Sequence, residues 1–173
     1  MKKSNKILIC IIGSLFILIM VLAYFNKNTL VEKTQMNNDA IFSVMLDGEN
    51  IKDYTMDDIQ KLGEESFNAN LKTNGKESIP YEYTGVLLKK ILEDADIDFE
   101  NKESAIVSSI DGYVVAVSMK KVLDNNNVYL AYKREGEWLG TREEGGKGPY
   151  QMIISKDEFS QYWCKYAFSV EVN

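Results

Sequence analysis

Hydrophobic and polar positions divide the chain into one long apolar run, a polar stretch and a series of short amphipathic segments. Residues 7–25, ILICIIGSLFILIMVLAYF, carry no charge. A helix needs about 20 apolar residues to cross a bilayer core, so this run predicts a transmembrane helix. Residues 26–39 are polar and without apolar periodicity, which predicts a tether. AIFSVML (40–46) then predicts a strand closed by the turn pair Asp47-Gly48. Thr55 heads MDDIQKLGEES with Asp58 three residues on, the spacing of a capping box; Ile59 and Leu62 give that helix a narrow apolar side. Residues 67–83 alternate loosely around Asn74-Gly75, which suits a two-residue hairpin turn. Thr84 predicts the cap of a second helix, GVLLKKILEDADI, with Leu87, Leu88, Ile91, Leu92 and Ala95 on one face. Strand–turn–strand patterns follow at 104–119, turning at Asp111-Gly112, and at 127–139, turning at Glu135-Gly136. YQMIIS predicts a further strand, and Phe168, Val170 and Val172 alternate with Ser169 and Glu171 in the last one. Many short strands with two short helices predict a mixed α+β domain over residues 40–173.

Charge sets the orientation. Lys2, Lys3 and Lys6 precede the apolar run and no acid does, so residues 1–6 are expected in the cytoplasm, with the domain extracytoplasmic. Two rivals are a signal cleaved after Val21-Leu22-Ala23 and a lipoprotein signal at Cys10. The run exceeds the usual ~7–15 residue signal core, and Cys10 lies at the start of the run and follows Ile9, so an uncleaved cell-membrane anchor is favoured. With Lys2, Lys3, Lys6 and Lys27 set aside, 16 basic residues face 26 acidic ones, a net charge of −10 on the exported part. Such a domain repels nucleic acid. With Cys10 in the membrane, Cys164 is the one thiol outside, so no intrachain disulfide staples this domain. Histidine is absent, which excludes a Ser-His-Asp triad, a Cys-His pair and a His-ligated zinc site.

GGKGPYQMII (145–154) is the first candidate for chemistry, because glycine beside lysine can cradle phosphate. The Walker spacing fails: Thr141 stands five residues before Gly146, Gly148 follows Lys147, and a strand follows Pro149. The aromatic residues Tyr150, Tyr162, Trp163, Tyr166 and Phe168, with Tyr129, Tyr132 and Trp138 upstream, could stack on a planar ligand or fill a core. Cys164 beside Lys165 offers a thiolate or a small buried hydrophobe. The carboxylates at 143–144 and at 94, 96 and 98 lack the EF-hand pattern and read as a solvated face.

Taken in order, YTGVLLKKILEDADID (83–98), VSSIDGYVVAVSMKKV (107–122), LAYKREGEWL (130–139), GPYQMII (148–154) and WCKYAFSVEV (163–172) resemble the oxidoreductase molybdopterin-binding domain family, the sulfite-oxidase-like fold. The resemblance runs from about residue 41 to the C-terminus and implies strands with short helices. In catalytic members a cysteine thiolate ligates molybdenum ahead of the Y-x-G-V segment, whereas NANLKTNGKESIPY (68–81) has no cysteine. The family's His-Gly-x-Pro-x-Arg places fall on Gly146 for histidine, Pro149 for proline and Gln151 for arginine. Lys165 matches the lysine that faces the cofactor's phosphate, with Tyr166 where tryptophan is usual. The resemblance therefore implies a shortened, non-catalytic domain without a metal site. It would bind a small ligand or a protein partner in a remnant cofactor pocket around Tyr83, Asp111, Tyr113, Gly146, Lys147, Gly148, Tyr150 and Lys165. Two alternatives stay open: a molybdopterin-dependent oxidoreductase subunit holding its cofactor through backbone amides and Lys165, and a structural module of a surface complex.

Overall fold

The computed structural model describes residues 11–24, 40–73 and 75–173. The chain falls into two units, one ending at Met36 and the other running over Asn37–Asn173. In the first, residues 11–24 form a helix, α1, exposed along its length. At ~1.5 Å per residue it reaches about 20 Å against a ~30 Å hydrocarbon core. Among the described residues no helix is long and apolar enough to cross a membrane. The rest of the expected span, residues 7–10 and Phe25, lies outside the described residues, as do residues 1–6 and the tether at 26–39.

In the second unit, Asp47 (φ 52°) and Gly48 (φ 82°) both take the left-handed backbone that a tight hairpin needs. They join β1 (Phe42–Leu46) to β2 (Glu49–Tyr54). The alternation pattern does not reveal β2, because its first five residues are all exposed. The first sheet runs β2–β1–β10 (Ala167–Val172)–β5 (Ser104–Ser109)–β6 (Val114–Ser118), with β1 and β10 parallel and the other pairs antiparallel. The second runs β3 (Glu65–Leu71), β4 (Ile79–Leu87), β7 (Val128–Arg134) and β8 (Glu137–Trp138), with β9 (Gln151–Ile154) also on β7. Three short helices accompany them: α2 (Met56–Lys61), α3 (Leu88–Asp94) and α4 (Met119–Leu123). The mixed α+β class stands. Thr55 and Asp58 form the expected capping box of α2.

Three local expectations are corrected. The helix expected from Thr84 starts only at Leu88, with no side-chain cap, because residues 84–87 still pair with β7. Gly85 explains it: a Cβ there would stand 2.5 Å from the Leu130 carbonyl oxygen, so the two backbones are in close approach. The Asn74-Gly75 turn is instead part of a loop over 72–78, since the β3–β4 ladder closes at Leu71↔Ile79; Asn74 itself lies outside the described residues. Phe168 faces solvent and Ser169 is buried. A register shift between Ala167 and Ser169 reverses the alternation there.

The core is rich in aromatic rings. Phe67 lies flat on Tyr129 (centroids 3.7 Å) and near Tyr83 (5.9 Å). Phe42 meets Tyr150 edge to face at 5.8 Å, joining β1 to the segment that leads into β9. The Tyr54 hydroxyl donates to the Asp94 carboxylate (2.8 Å), which Lys52 also holds (2.7 Å), so β2 is pinned to the end of α3.

Candidate functional site

A cleft of about 470 Å3 opens beside the β5–β6 turn, lined by Asp111, Tyr113, Ser160, Gln161, Trp163 and Lys165, with Thr73 at its edge. Each wall is fixed from within. The Asp111 carboxylate accepts from the Ser109 hydroxyl (2.6 Å) and the Tyr113 amide (3.1 Å). These bonds, with the positive charge of Arg142, hold its pKa below the usual carboxylate value. The Tyr113 hydroxyl donates to the Gln161 carbonyl (2.9 Å), which bridges the hairpin to a turn of 3₁₀-helix over Ser160–Tyr162. Ser160 donates through both amide (3.0 Å) and hydroxyl (2.8 Å) to the Lys72 carbonyl. Trp163 is buried, its indole N–H donating to the Ile154 carbonyl (3.3 Å), and it meets Tyr83 edge-on at 5.8 Å.

The glycine-rich loop is a folded turn whose amides are already used. Gly145, Gly146, Lys147 and Gly148 donate to the carbonyls of Arg142, Thr141, Leu139 and Gly140, at 3.0, 2.8, 3.0 and 2.7 Å. A phosphate would have to break these bonds to be cradled by them, so the backbone-amide grip of the oxidoreductase alternative has no donors to spare. Tyr166 clamps the loop from the other side. Its amide donates to the Lys147 carbonyl and its hydroxyl to the Gly146 carbonyl, both at 3.0 Å. The Gly148-Pro149 peptide is cis.

The structure sorts the eight candidate residues. Asp111, Tyr113 and Lys165 line the cleft, and Tyr83 stands behind its Trp163 wall. Lys147 comes close to Lys165 through the bond to Tyr166, while Gly146 and Gly148 shape the turn. Tyr150 is fully buried, with its hydroxyl on the Ala40 carbonyl at 3.3 Å, and packs in the core away from the cleft lining.

One further cation lies near Tyr83, outside the cleft lining. Arg134 stands opposite Tyr83 in the β4–β7 ladder, and its guanidinium lies 4.6 Å from the Tyr81 ring centroid. Burial pushes the Tyr83 phenol pKa up, and the Arg134 cation opposes that rise. Lys147 is held below the usual lysine value first by burial, then by the charges of Arg134 and Lys165. Among the described residues no ion pair involves Arg134, Lys147 or Lys165. The signal in the sequence was slight: Lys133 and Arg134 end a strand side by side, and alternation sends them to opposite faces without saying which stands beside Tyr83.

Cys164 is fully buried, and its thiol contacts the Val107 carbonyl at 3.9 Å. Burial and, second, the Asp111 charge push its pKa up to about 12, so it carries no thiolate near neutral pH. Among the described residues no group of three or more His, Cys, Asp or Glu could hold a metal ion. Gln151, at the family's arginine place, is buried, and its Oε1 has no hydrogen-bond partner. The donor set therefore suits an anion and a ring system but not a cysteine-ligated molybdenum. No reaction step through that metal follows from these residues.

One mixed and one antiparallel sheet around an aromatic core, with a cleft bearing Lys165 beside the last strand, define a sulfite-oxidase-like module. Residues 28–172 match the oxidoreductase molybdopterin-binding domain, and the chain belongs to that family. Among solved structures it is similar to the sulfane dehydrogenase SoxCD from Paracoccus pantotrophus, with a TM-score of 0.63 and 18% identity over 79% of this chain. That overlap is 38% of the SoxCD chain, so the present chain spans less than two-fifths of its length, and at this identity the likeness speaks for the fold alone. No curated protein matches the chain.

Proposed function

We propose that this chain is a membrane-anchored, extracytoplasmic member of the family that carries out no molybdenum redox chemistry and binds a small ligand in the cleft beside Trp163 and Lys165. The observation that carries the reading is the state of its thiol: Cys164 is buried in the core, protonated, and absent from the cleft lining. The stretch in which catalytic relatives hold their ligating cysteine, residues 68–81, has none. The uncharged run at 7–25 behind Lys2, Lys3 and Lys6 supports the anchor and its orientation. A second reading, a molybdopterin-dependent oxidoreductase subunit, draws on Lys165 in the cleft.

Elemental analysis for molybdenum and fluorescence of oxidised pterin, both on the full chain purified in detergent from its own host, separate the two. Neither group is expected, and a stoichiometric amount of both would overturn the proposal. A thermal-shift panel of small molecules then tests the binding role, since a ligand that binds only the folded state raises Tm. Saturation of the cleft by a protein pulled from the membrane fraction, with no small molecule active, would assign the site to a partner instead. For the anchor, release of the chain by alkaline carbonate would refute a spanning helix.

A further inference from the structure

The edge of a sheet exposes backbone donors and acceptors, and natural proteins blunt such edges with charge, proline or bulges. The first sheet has two edges, β2 and β6. β2 is blunted: it carries Glu49, Lys52 and Asp53, and its ladder with β1 shifts register between Val44 and Met45. β6 has none of these devices. Residues 112–119, GYVVAVSM, hold no charge and no proline, and the β5–β6 register runs unbroken from Ser104↔Ser118 to Ser108↔Val114. Val115 and Val117 are buried, while Val114, Ala116 and Ser118 are exposed. The strand is therefore held to the core through one face and open to solvent on the other.

The ladder also fixes which backbone groups are free. The Ser109 amide donates to the Tyr113 carbonyl and the Met119 amide to the Glu103 carbonyl, both at 2.9 Å. Opposite residues of an antiparallel pair alternate between bonded and non-bonded. Val115 and Val117 therefore bond to β5, and the amides of Val114, Ala116 and Ser118 point to the open side. Among the described residues the backbone groups of Val114 and Ala116 meet no hydrogen-bond partner. Ala116 is the midpoint of this free edge. An antiparallel copy of the same strand centred there sets Ala116 against Ala116 and Val114 against Ser118, with the free groups of each facing those of the other. The two ends match as well. Asp111 precedes the strand and Lys120 follows it, and among the described residues neither enters an ion pair. Antiparallel pairing brings the Lys120 end of each copy to the Asp111 turn of the other, whereas parallel pairing sets like charges together.

We propose that β6 is a self-association edge, at which two copies of this chain pair antiparallel about a two-fold axis at Ala116 and join their five-stranded sheets into one. The contact is isologous and closes on itself, because pairing uses up the one unblunted edge of this sheet. Asp111 lines the cleft, so each copy also brings Lys120 to the rim of the other's cleft. A ladder of this length buries less than the ~1,200 Å2 of a standard-size interface, so the dimer is expected to be reversible.

Analytical ultracentrifugation of the full chain in detergent tests the edge. The parent is expected to pass from monomer to dimer as its concentration rises through the micromolar range. Ala116→Lys and Ala116→Glu each set like charges across the axis and should weaken association tenfold or more, while an equimolar mixture of the two restores it. The side chain at 116 is exposed, so both variants should keep the parent's Tm when dilute, which separates a lost contact from a lost fold. Disulfide mapping then fixes the register in a Cys10→Ser background, where the remaining thiol, Cys164, is buried. On mild oxidation Ala116→Cys should form a covalent dimer by itself, whereas Val114→Cys and Ser118→Cys should cross-link only when mixed. A parent that stays monomeric at hundreds of micromolar, or a dimer indifferent to Ala116→Lys, would overturn the proposal. Growth beyond the dimer would overturn the closed two-fold pairing. A monomeric parent that co-purifies with another protein, lost in Ala116→Lys, would overturn self-pairing and assign the edge to that protein.

Discussion

The loop that carries Lys147 can be tested by adding one methyl group. An alanine at Gly146 would place its Cβ 2.3 Å from the Leu139 carbonyl oxygen and 2.4 Å from that of Gly140. An ordinary carbon–oxygen contact is ~3.3 Å or more, so about 1 Å must open against backbone and not against a flexible side chain. Those two oxygens accept from Lys147 (3.0 Å) and Gly148 (2.7 Å), so yielding to the methyl group breaks or stretches both bonds. Overpacking of this kind costs roughly 1–3 kcal/mol, and two strained hydrogen bonds add about 1 kcal/mol each, giving about 3–5 kcal/mol for Gly146→Ala. The neighbouring Gly145→Ala is the control. A Cβ there meets nothing within 4 Å, but φ is +73°, so only the left-handed backbone penalty of about 1–2 kcal/mol applies. Urea unfolding followed by tryptophan fluorescence measures both, compared at equal m-values. Gly146→Ala is expected to lose at least about 1 kcal/mol more than Gly145→Ala. Equal midpoints, or a more stable Gly146→Ala, would refute the packing described for this turn.

Three further outcomes follow from other parts of the fold. Stability should fall on the alkaline side: the folded state keeps Cys164 and Tyr129 protonated up to about 12, while the unfolded chain releases these protons from about pH 9 for cysteine and 10 for tyrosine. Each contributes stability that is complete below its unfolded pKa and fades at about 1.4 kcal/mol per pH unit as pH rises toward 12; pH-dependent urea melts would show it, and a flat profile between pH 9 and 11 would count against the burial of these groups. Cys164 should also resist iodoacetamide at pH 8 in the folded protein and react within minutes in 8 M urea; rapid labelling of the native chain would contradict its place in the core. Thr55→Ala removes one arm of the α2 capping box, where the hydroxyl accepts from the Asp58 amide at 3.3 Å, and should cost about 1 kcal/mol in the same melts; a loss below 0.3 kcal/mol would mean the cap is idle.

Much of the fold was legible because its turns announce themselves. Asp47-Gly48, Asp111-Gly112 and Glu135-Gly136 each sit between strands as their residue types suggest, and Thr55 with Asp58 marks α2 by spacing alone. The misread segments share a cause: tertiary context outweighed local pattern. VLL at 86–88 is apolar on every side, which suits a helix start as well as a buried strand, and only the close approach of β7 at Gly85 decides between them. β2 lacks alternation because it is an exposed edge, and the bulge at Ala167 turns Phe168 outward without any glycine or proline to mark it. Lys165, Asp111 and Tyr113 were nameable as a group through family resemblance and do share one cleft. Arg134 was not, because its relation to Lys147 depends on how a β7 residue and a distant loop are brought together, and no spacing in the sequence records that. Of the aromatic residues that could stack on a ligand or fill a core, Tyr150 is in the core, while Trp163 serves both core and cleft wall.

The parallel pairing of β1 with β10, from Ser43↔Ser169 to Leu46↔Val172, also decides how this domain bears load. Tension applied through the chain ahead of Phe42 and after Val172 pulls the two strands in opposite directions along their shared axis. Every rung of the ladder is then strained together, as in a lap joint, instead of being peeled open one bond at a time. A domain linked to its surroundings through residues on these two sides would yield late and abruptly, and the cleft beside Lys165 would keep its shape until it did.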